Sequence, residues 1–238
     1  MNSIANIGKL KPASFLSMFT SPLGTFDSLR ERPRWFLPVL FSAIVTVAAN
    51  IYIIQRIGFI QLIKTASQSN YIIDPQDVIQ NVLEHQNRIL VIQAASVFVN
   101  VFVIALVTAV AFWLLMTILG YDISFRKSLA VVSHANMLPI IVRGCMIVLT
   151  AAVIQDAGAL NLKNPLATNI GFFLRPSSPV ALRLLTSLDA ITFANAILLI
   201  MGLTRVCPKL SARSASMMVF ICWAVYIGAK LFVPLFPS

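Results

Sequence analysis

The side chains that could do chemistry in this chain are a few polar residues set in long apolar stretches. Arg143 and Asp189 are the charged members of this group, and each lies inside a run of mainly apolar residues. A charge within the hydrocarbon of a bilayer is costly unless it is paired or solvated, so such residues are the first candidates for function. Three interpretations follow: an ion pair that joins two helices, a relay for a substrate or proton, or two charges that do not touch.

A second polar feature precedes Arg143 in the same apolar stretch. Pro139 lacks an amide proton, which leaves the carbonyl of Ala135 without its helical hydrogen bond. Asn136 stands two helical turns before Arg143 and therefore shares its face. Transporters build binding sites from proline-loosened polar patches of this kind, but ordinary kinked helices show the same pattern. The predicted intramembrane polar cluster consists of Asn136, Pro139, Arg143 and Asp189.

No pattern in the sequence points to catalysis, a cofactor or a metal. His134 lies on roughly the opposite helical face from Arg143 and has no second ligand at metal-binding spacing. The three cysteines include no CxxC pair, which argues against a zinc site or a disulfide framework. The sequence contains no GxSxG, HExxH or P-loop motif. We therefore predict a protein that is not an enzyme and that uses no cofactor or metal.

The elements that must position these residues are membrane-spanning helices. The chain is 58% hydrophobic and only 11% charged, with a mean hydropathy of +0.87. A helix needs about 20 apolar residues to cross about 30 Å of hydrocarbon. Five stretches fit this description, and the second is so long that it predicts one long, tilted helix. We predict an all-α integral membrane bundle of five transmembrane helices, at about residues 35–54, 89–121, 129–155, 184–204 and 215–232.

Small polar residues recur along one face of the first predicted span. Ser42, Thr46 and Asn50 follow one another at four-residue steps, so they share a stripe along the helix. Small and amide side chains within a membrane bundle more often join helices to one another than bind ligands. The stripe therefore predicts a contact between helices.

Basic residues set the expected orientation of the bundle. Ten of them lie on one predicted side, in short segments close to helix ends, and seven lie on the other side. Because cytoplasmic segments carry an excess of lysine and arginine, the N-terminus is predicted in the cytosol and the C-terminus outside. The net charge of +10 does not indicate nucleic acid binding, since basic residues beside spans hold topology and contact anionic lipid headgroups. The predicted cytosolic basic anchor comprises Arg30, Arg32, Arg34, Arg126 and Lys127.

Residues 1–34 are predicted to form a cytosolic arm, ahead of a membrane domain over residues 35–238. Ser21 and Pro22 suit the N-cap and the first position of a helix. An amphipathic helix lying on the bilayer interface is one interpretation, and a simple lead-in helix without a partner is the alternative. The apolar face of this helix recurs at three-residue steps, at Leu23, Phe26 and Leu29.

Two predicted outer loops differ in character. Asp74 and Pro75 form a helix-start signal, so we expect the second span to begin as a helix outside the bilayer. Residues 156–182 contain several prolines and an aromatic pair, which predicts an irregular loop lying on the outer interface.

Short motifs recur along most of the chain and carry a family resemblance. The first group is FTSP at residues 19–22 with RPR at residues 32–34. The second is LG at residues 119–120, followed by SFRK at residues 124–127, VVSHA at residues 131–135 and Pro139. The third is NPLATN at residues 164–169, and the fourth is LD at residues 188–189 with GL at residues 202–203.

Together these motifs resemble the Yip-domain family, small five-span membrane proteins named for their interaction with Ypt/Rab GTPases. The chain is similar to the short bacterial branch of that family, because it lacks the long cytosolic N-terminal domain of the eukaryotic members. The resemblance implies a multi-pass protein of the bacterial cytoplasmic (inner) membrane. It also implies a cytosolic N-terminus and an outer C-terminus, in agreement with the count of charges.

The resemblance does not supply a biochemical role, since Rab partners do not exist in bacteria. The leading hypothesis is a non-enzymatic membrane scaffold or organiser that acts through protein or lipid contacts. The alternative is a small oligomeric transporter or channel-like protein that uses Asn136, Arg143 and Asp189, and an intramembrane enzyme ranks third. The expected partners are the lipid bilayer, anionic lipid headgroups, and a second copy of the chain or other membrane proteins.

Overall fold

The described part of the chain is a bundle of helices, and it covers residues 15–58, 75–153, 164 and 166–232 of a computed structural model. A short 3₁₀ turn over Phe15–Phe19 precedes the first α-helix. No strand occurs within these ranges, in keeping with the predicted all-α class. In chain order the α-helices are α1 Pro22–Glu31, α2 Phe36–Ile57, α3 Pro75–Ile118, α4 Phe125–Val153, α5 Ile170–Leu174, α6 Pro179–Ser187, α7 Ala190–Val206 and α8 Ala212–Phe232.

Four of these helices, α2, α3, α4 and α8, are long and apolar enough to cross a membrane. Helix α7 is also apolar but has only 17 residues. Helix α3 is the longest, with 44 residues and a local break in helical geometry at His85. It begins at Pro75, as the helix-start signal predicts, while Asp74 lies outside the described residues.

Helix α4 is the centre of the bundle and packs against α2, α3 and α7. From Ser128 to Ala135 every residue is buried, because helices surround this half of α4 on all sides. Ser128 Oγ donates a hydrogen bond to the carbonyl of Ala109 on α3, at 2.9 Å. A helix that is buried all round has no solvent-facing polar stripe, so the first half of α4 is a core helix.

The N-terminal arm is packed onto the bundle. Phe26 is fully buried, and α1 contacts both α7 and α4. The glycine at position 202 makes this possible: a Cβ there would lie 2.8 Å from Phe26 Cε1 and 2.6 Å from Val131 Cγ1. Leu29 is also buried, whereas Leu23 is exposed. Two of the three residues on the predicted apolar face of α1 therefore face protein.

The polar side chains of the stripe in the first span bond to their own helix. Ser42 Oγ donates to the carbonyl of Pro38 at 2.7 Å, and Thr46 Oγ1 donates to the carbonyl of Ser42 at 2.8 Å. Asn50 Nδ2 donates to the carbonyl of Thr46 at 2.9 Å. Each side chain thus satisfies a donor within its own helix, a common alternative to bonding across an interface.

The predicted fourth span at residues 184–204 is wrong as a single helix. The chain breaks at Leu188 and Asp189, which separates α6 from α7. The amide of Ala190, which a continuous helix would bond to the preceding turn, donates instead to the carbonyl of Thr168 at 2.9 Å. The prolines of the loop before α7 predict irregular structure throughout. The described part of the loop instead contains the two short helices α5 and α6.

Two ends of the bundle are named from here on. The arm end carries α1, the start of α4, the end of α7 and the start of α8. The loop end carries the connection from Leu166 to Asp189, including α5 and α6.

Candidate functional site: a polar seam between α4 and α7

Arg143 on α4 and Asp189 at the start of α7 form an ion pair. Arg143 Nη2 donates to Asp189 Oδ2 at 2.5 Å. The two side chains differ in exposure, with 47% of the arginine accessible but only 8% of the aspartate. The contact therefore neutralises a buried carboxylate with a cation that still reaches the surface of the bundle.

Asp189 has a second task, because it caps α7. Its Oδ1 accepts a hydrogen bond from the amide of Ile191 at 3.1 Å, which satisfies one of the amides that a helix N-terminus leaves without a partner. Thr192 Oγ1 lies 3.5 Å from Oδ2 and donates to it. Both carboxylate oxygens are thus engaged, one by the helix and the other mainly by Arg143.

A second contact follows further along the same two helices. Asn195 Nδ2 on α7 donates to Asn136 Oδ1 on α4 at 3.0 Å. Asn195 Oδ1 is buried and has no hydrogen-bond partner among the described residues. Together with the ion pair, this contact defines a polar seam along the α4–α7 interface, formed by Asn136, Arg143, Asp189 and Asn195.

The loop before α7 is closed by paired amides and is joined to the seam through Asn169. Asn164 Nδ2 donates to Asn169 Oδ1 at 3.0 Å, and Asn169 Nδ2 donates to Asn164 Oδ1 at 2.7 Å. Asn169 also forms an isolated antiparallel bridge with Asp189 and accepts from the amide of Phe172. The loop therefore helps to hold Asp189 in its capping position.

Pro139 is buried in α4, between the two seam residues of that helix. It interrupts the backbone hydrogen bonds of the turn that contains Asn136 and Ala135. Its helix nevertheless continues unbroken to Val153. Pro139 therefore shapes the backbone beside the seam and contributes no side-chain polar atom to it.

His134 is satisfied by its own helix and is not part of the seam. Its Nδ1 is 2.9 Å from the carbonyl of Ala130, and its side chain is buried. Within the described ranges, no group of three or more histidine, cysteine, aspartate or glutamate side chains lies together.

The predicted basic anchor lies at the arm end, and four of its five members are exposed. Arg34 and Arg126, which are far apart in sequence, line one surface pocket of about 300 Å³. Trp35 and Phe36 contribute aromatic walls to the same pocket. The accessible lining of this open pocket is almost entirely apolar, although the two arginines contribute to it. The other members are Arg30 and Arg32, which are exposed, and Lys127, which is half-buried.

Asn195 was not predicted as a site residue, although the spacing of residues in the sequence indicates its contact with Asn136. Asn136 precedes Arg143 by about two helical turns, or about 10 Å at 1.5 Å per residue. Asn195 follows Asp189 by nearly the same rise. Two helices that run in opposite directions, and that already share one pair, bring residues at matching offsets together. The Asn164–Asn169 pairing has no comparable signal, because both residues lie in a loop.

A comparison with known proteins gives one match. A family model for the Yip1 domain matches residues 16–232. No curated protein and no solved structure shows a significant match to the chain.

Proposed function

Because the chain belongs to the Yip1 domain family, we propose that it is a non-enzymatic membrane scaffold or organiser that acts through protein or lipid contacts. The polar seam then has a structural role: it holds α7, a short and broken helix, in register with α4. The observation that carries the proposal is that the seam residues bond to one another. The side-chain oxygens of Asp189 and Asn136 accept hydrogen bonds from partners inside the bundle.

The proposal is tested by the access of water to the seam. Asn136→Cys, in a chain whose native cysteines are replaced by serine, should remain largely unreactive to a membrane-impermeant maleimide applied from either side. A scaffold keeps this position dry, whereas a carrier must hydrate it. Ser178→Cys is the matched control, because Ser178 is exposed at the loop end and should react quickly. Rapid labelling at position 136, slowed by an added solute, would make transport the leading function.

A second candidate, a small oligomeric transporter or channel-like protein, draws on two observations. Arg143 keeps nearly half of its side chain accessible although it pairs with Asp189. Asn195 Oδ1, beside Asn136, is a buried acceptor without a partner among the described residues. A solute or a proton path needs such unused polar atoms. The same maleimide experiment decides between the two functions.

We infer five membrane crossings, with α7 as the short one, and a bacterial cytoplasmic membrane as the location. The basic anchor then faces the cytosol together with the N-terminus, and the C-terminus lies outside. Reporter fusions after Lys127 and after Arg213 should both read cytoplasmic, and a fusion after Ser177 should read external. A cytoplasmic signal at Ser177 contradicts this topology.

The surfaces available for partners support the scaffold proposal. Four exposed arginines at the arm end would contact anionic lipid headgroups, and α1 would lie at the interface; they are Arg30, Arg32, Arg34 and Arg126. Helix α3 exposes an apolar face that lipid, a second copy of the chain or another membrane protein would cover. Native mass spectrometry in lipid should show bound anionic lipid or a second protein copy. A lipid-free monomer under gentle release would argue against both kinds of partner. The exposed apolar residues of α3 include Val91, Ile92, Val99, Val103, Ile104 and Val107.

A further inference from the structure

The short helix α5 at the loop end presents an exposed apolar face. Ile170, Phe173 and Leu174 stand at positions i, i+3 and i+4, so they share one side of the helix. Phe173 is 69% exposed and Leu174 is 65% exposed. Gly171 packs closely against α6 instead, since a Cβ there would lie 2.9 Å from Thr186 Cγ2. Because Gly171 fixes the side of α5 that meets α6, the apolar face is turned away from that contact.

Contacts at both ends of α5 hold this face in a defined position. At the start, the side chain of Asn169 accepts a hydrogen bond from the amide of Phe172 at 2.9 Å. At the end, the chain turns away at Arg175, whose φ of 43° is the left-handed conformation that ends many helices. The guanidinium carbon of Arg175 lies 5.9 Å from the centre of the Phe172 ring. The exposed apolar side chains therefore belong to a capped helix.

The depth of α5 in the membrane follows from its link to α7. Asn169, which caps α5, forms a backbone bridge with Asp189, which caps α7. Helix α7 carries no charge between residues 190 and 204, and Arg205 in its last turn is exposed at the arm end. If Arg205 lies at one border of the hydrocarbon, Asp189 lies about 26 Å away and close to the opposite border, since the hydrocarbon is about 30 Å thick.

The whole of α5 lies near that border. Its five residues rise by about 8 Å at most, at 1.5 Å per residue. Phe173 and Leu174 are therefore within about 8 Å of the level of Asp189. This placement rests on α7 crossing the membrane, as the proposed topology requires.

Lipid suits this face better than a second protein copy does. Three exposed side chains offer at most a few hundred Å², below the roughly 800 Å² per partner that a standard interface buries. Interfacial segments place phenylalanine and leucine among the acyl chains and arginine at the headgroups. Arg175, which follows Leu174 directly, is exposed and supplies such a cation. Apolar and charged side chains thus stand side by side at the depth where acyl chains meet headgroups.

We propose that α5 is a lipid anchor that inserts Phe173 and Leu174 among the acyl chains at the loop-end border of the bilayer. The anchor lies at the opposite end from the basic arginines of the arm. It fixes the loop that holds Asp189, because the same Asn169 side chain caps α5 and belongs to the bridge with Asp189. Its test measures depth, whereas the reporter fusions measure sidedness and the maleimide experiment measures access to the seam. The proposals can therefore fail separately.

The test uses nitroxide spin labels on single cysteines in the full chain, with the native cysteines replaced by serine. The protein is placed in vesicles of phosphatidylcholine and phosphatidylglycerol. Collision rates of each label are measured with oxygen, which concentrates in hydrocarbon, and with a neutral nickel chelate, which stays in water. The variants are Phe173→Cys and Leu174→Cys, both at exposed positions whose substitution should leave the fold intact.

Two further variants calibrate the depth. Val107→Cys is the hydrocarbon reference, because Val107 is exposed on α3 about 16 Å from the end of that helix at Ile118. Ser177→Cys is the shallow control, because Ser177 is exposed in the turn between α5 and α6. The ratio of oxygen to nickel collisions at positions 173 and 174 should be several-fold higher than at position 177 and should approach the ratio at position 107.

The other outcomes overturn the proposal. A ratio at positions 173 and 174 equal to that at position 177 would place α5 in water. Low collision rates with both reagents would mean that protein covers the face, and dipolar broadening between labels would identify that protein as a second copy. A cytoplasmic reporter signal at Ser177 together with a high oxygen ratio would leave the anchor in place and reject only the proposed orientation.

Discussion

The two ends of the bundle differ in the kind of contact that holds their helices together. At the arm end, Phe26 of α1 fills a notch beside Gly202, and the first half of α4 is buried among apolar side chains. At the loop end, the second half of α4 opens to the surface, and the contact with α7 depends on Arg143 and Asp189. Apolar packing dominates at the arm end, where the Arg205–Asp27 ion pair and the Ser128–Ala109 hydrogen bond are additional contacts, whereas charge and hydrogen bonds join α4 to α7 at the loop end.

This difference predicts how each end responds to substitution. Apolar packing in a core tolerates few changes, because a lost or added methylene alters the fit of every neighbour. A polar contact that remains half accessible can exchange its partner for water or a ligand. The arm end is therefore the more tightly packed part of the bundle, and the loop end is the more accessible part.

The largest loss of stability should come from a substitution in the apolar packing of the arm end. Phe26→Ala removes a fully buried ring from the α1–α7 joint, so we expect a loss of about 3–5 kcal/mol in unfolding free energy. The loss should appear in denaturant unfolding in mixed micelles. Phe19→Ala is the control, because its ring is 45% exposed and its removal should change little. Similar losses in both variants would mean that α1 is not part of the core.

Substitutions in the polar contact at the loop end should cause a smaller loss of stability. Asp189→Ala removes the cap of α7 and leaves Arg143 without its partner, and we expect a loss of about 2–4 kcal/mol in unfolding free energy, measured in the same micelles. The expected loss in unfolding free energy is smaller than for a fully buried ion pair, because Arg143 can still reach solvent. Asp189→Asn keeps the capping oxygen and should recover about 1 kcal/mol of the loss.

The same pair permits a sharper test. Replacing Arg143 with Met in the Asp189→Ala background removes the stranded cation and should restore part of the stability. A double-mutant cycle measures the coupling between the two sites. Additive losses would show that the contact contributes nothing beyond its two separate side chains.

The smallest effect concerns a single methyl group. Gly202→Ala places a Cβ within 3 Å of Val131 and Phe26, so we expect a loss of about 1–3 kcal/mol through overpacking. Gly228→Ala is the matched helical control, since a Cβ at that position would meet no atom within 4 Å. That control should be neutral or stabilising by up to about 1 kcal/mol, from helix propensity. A loss of stability at position 202 with no loss at position 228, measured by denaturant unfolding, distinguishes the packed joint from open helix surface.

The sequence is most informative where one strong physical signal decides the outcome. Long apolar runs predict the helices, and the cost of isolated charge predicts a contact between Arg143 and Asp189. The same reasoning cannot give the fourth span, because apolar composition does not record a chain break. The break at Asp189 is set by the hydrogen bond from Ala190 to Thr168 and by the capping role of Asp189 itself.

Other differences arise where two signals in the sequence compete. Ser178 and Pro179 start α6 with the same cap-and-proline pattern that predicts α1. The prolines of the surrounding loop favour irregular structure, and the local start signal prevails over them. For the Ser42 stripe, spacing shows a shared face, but it cannot tell whether a hydroxyl bonds a neighbouring helix or its own backbone.

The length of α7 has a consequence for the surrounding lipid. Seventeen helical residues span about 26 Å at 1.5 Å each, less than an average hydrocarbon thickness of about 30 Å. A crossing helix this short is accommodated when nearby acyl chains compress and the bilayer thins around it, at a cost of a fraction of a kcal/mol per ångström. If α7 is the short crossing that the proposed topology requires, the side of the bundle that carries it would create a thin patch of membrane. Under the proposed topology, such a patch would favour short-chain lipids and neighbouring proteins with similarly short spans over longer ones.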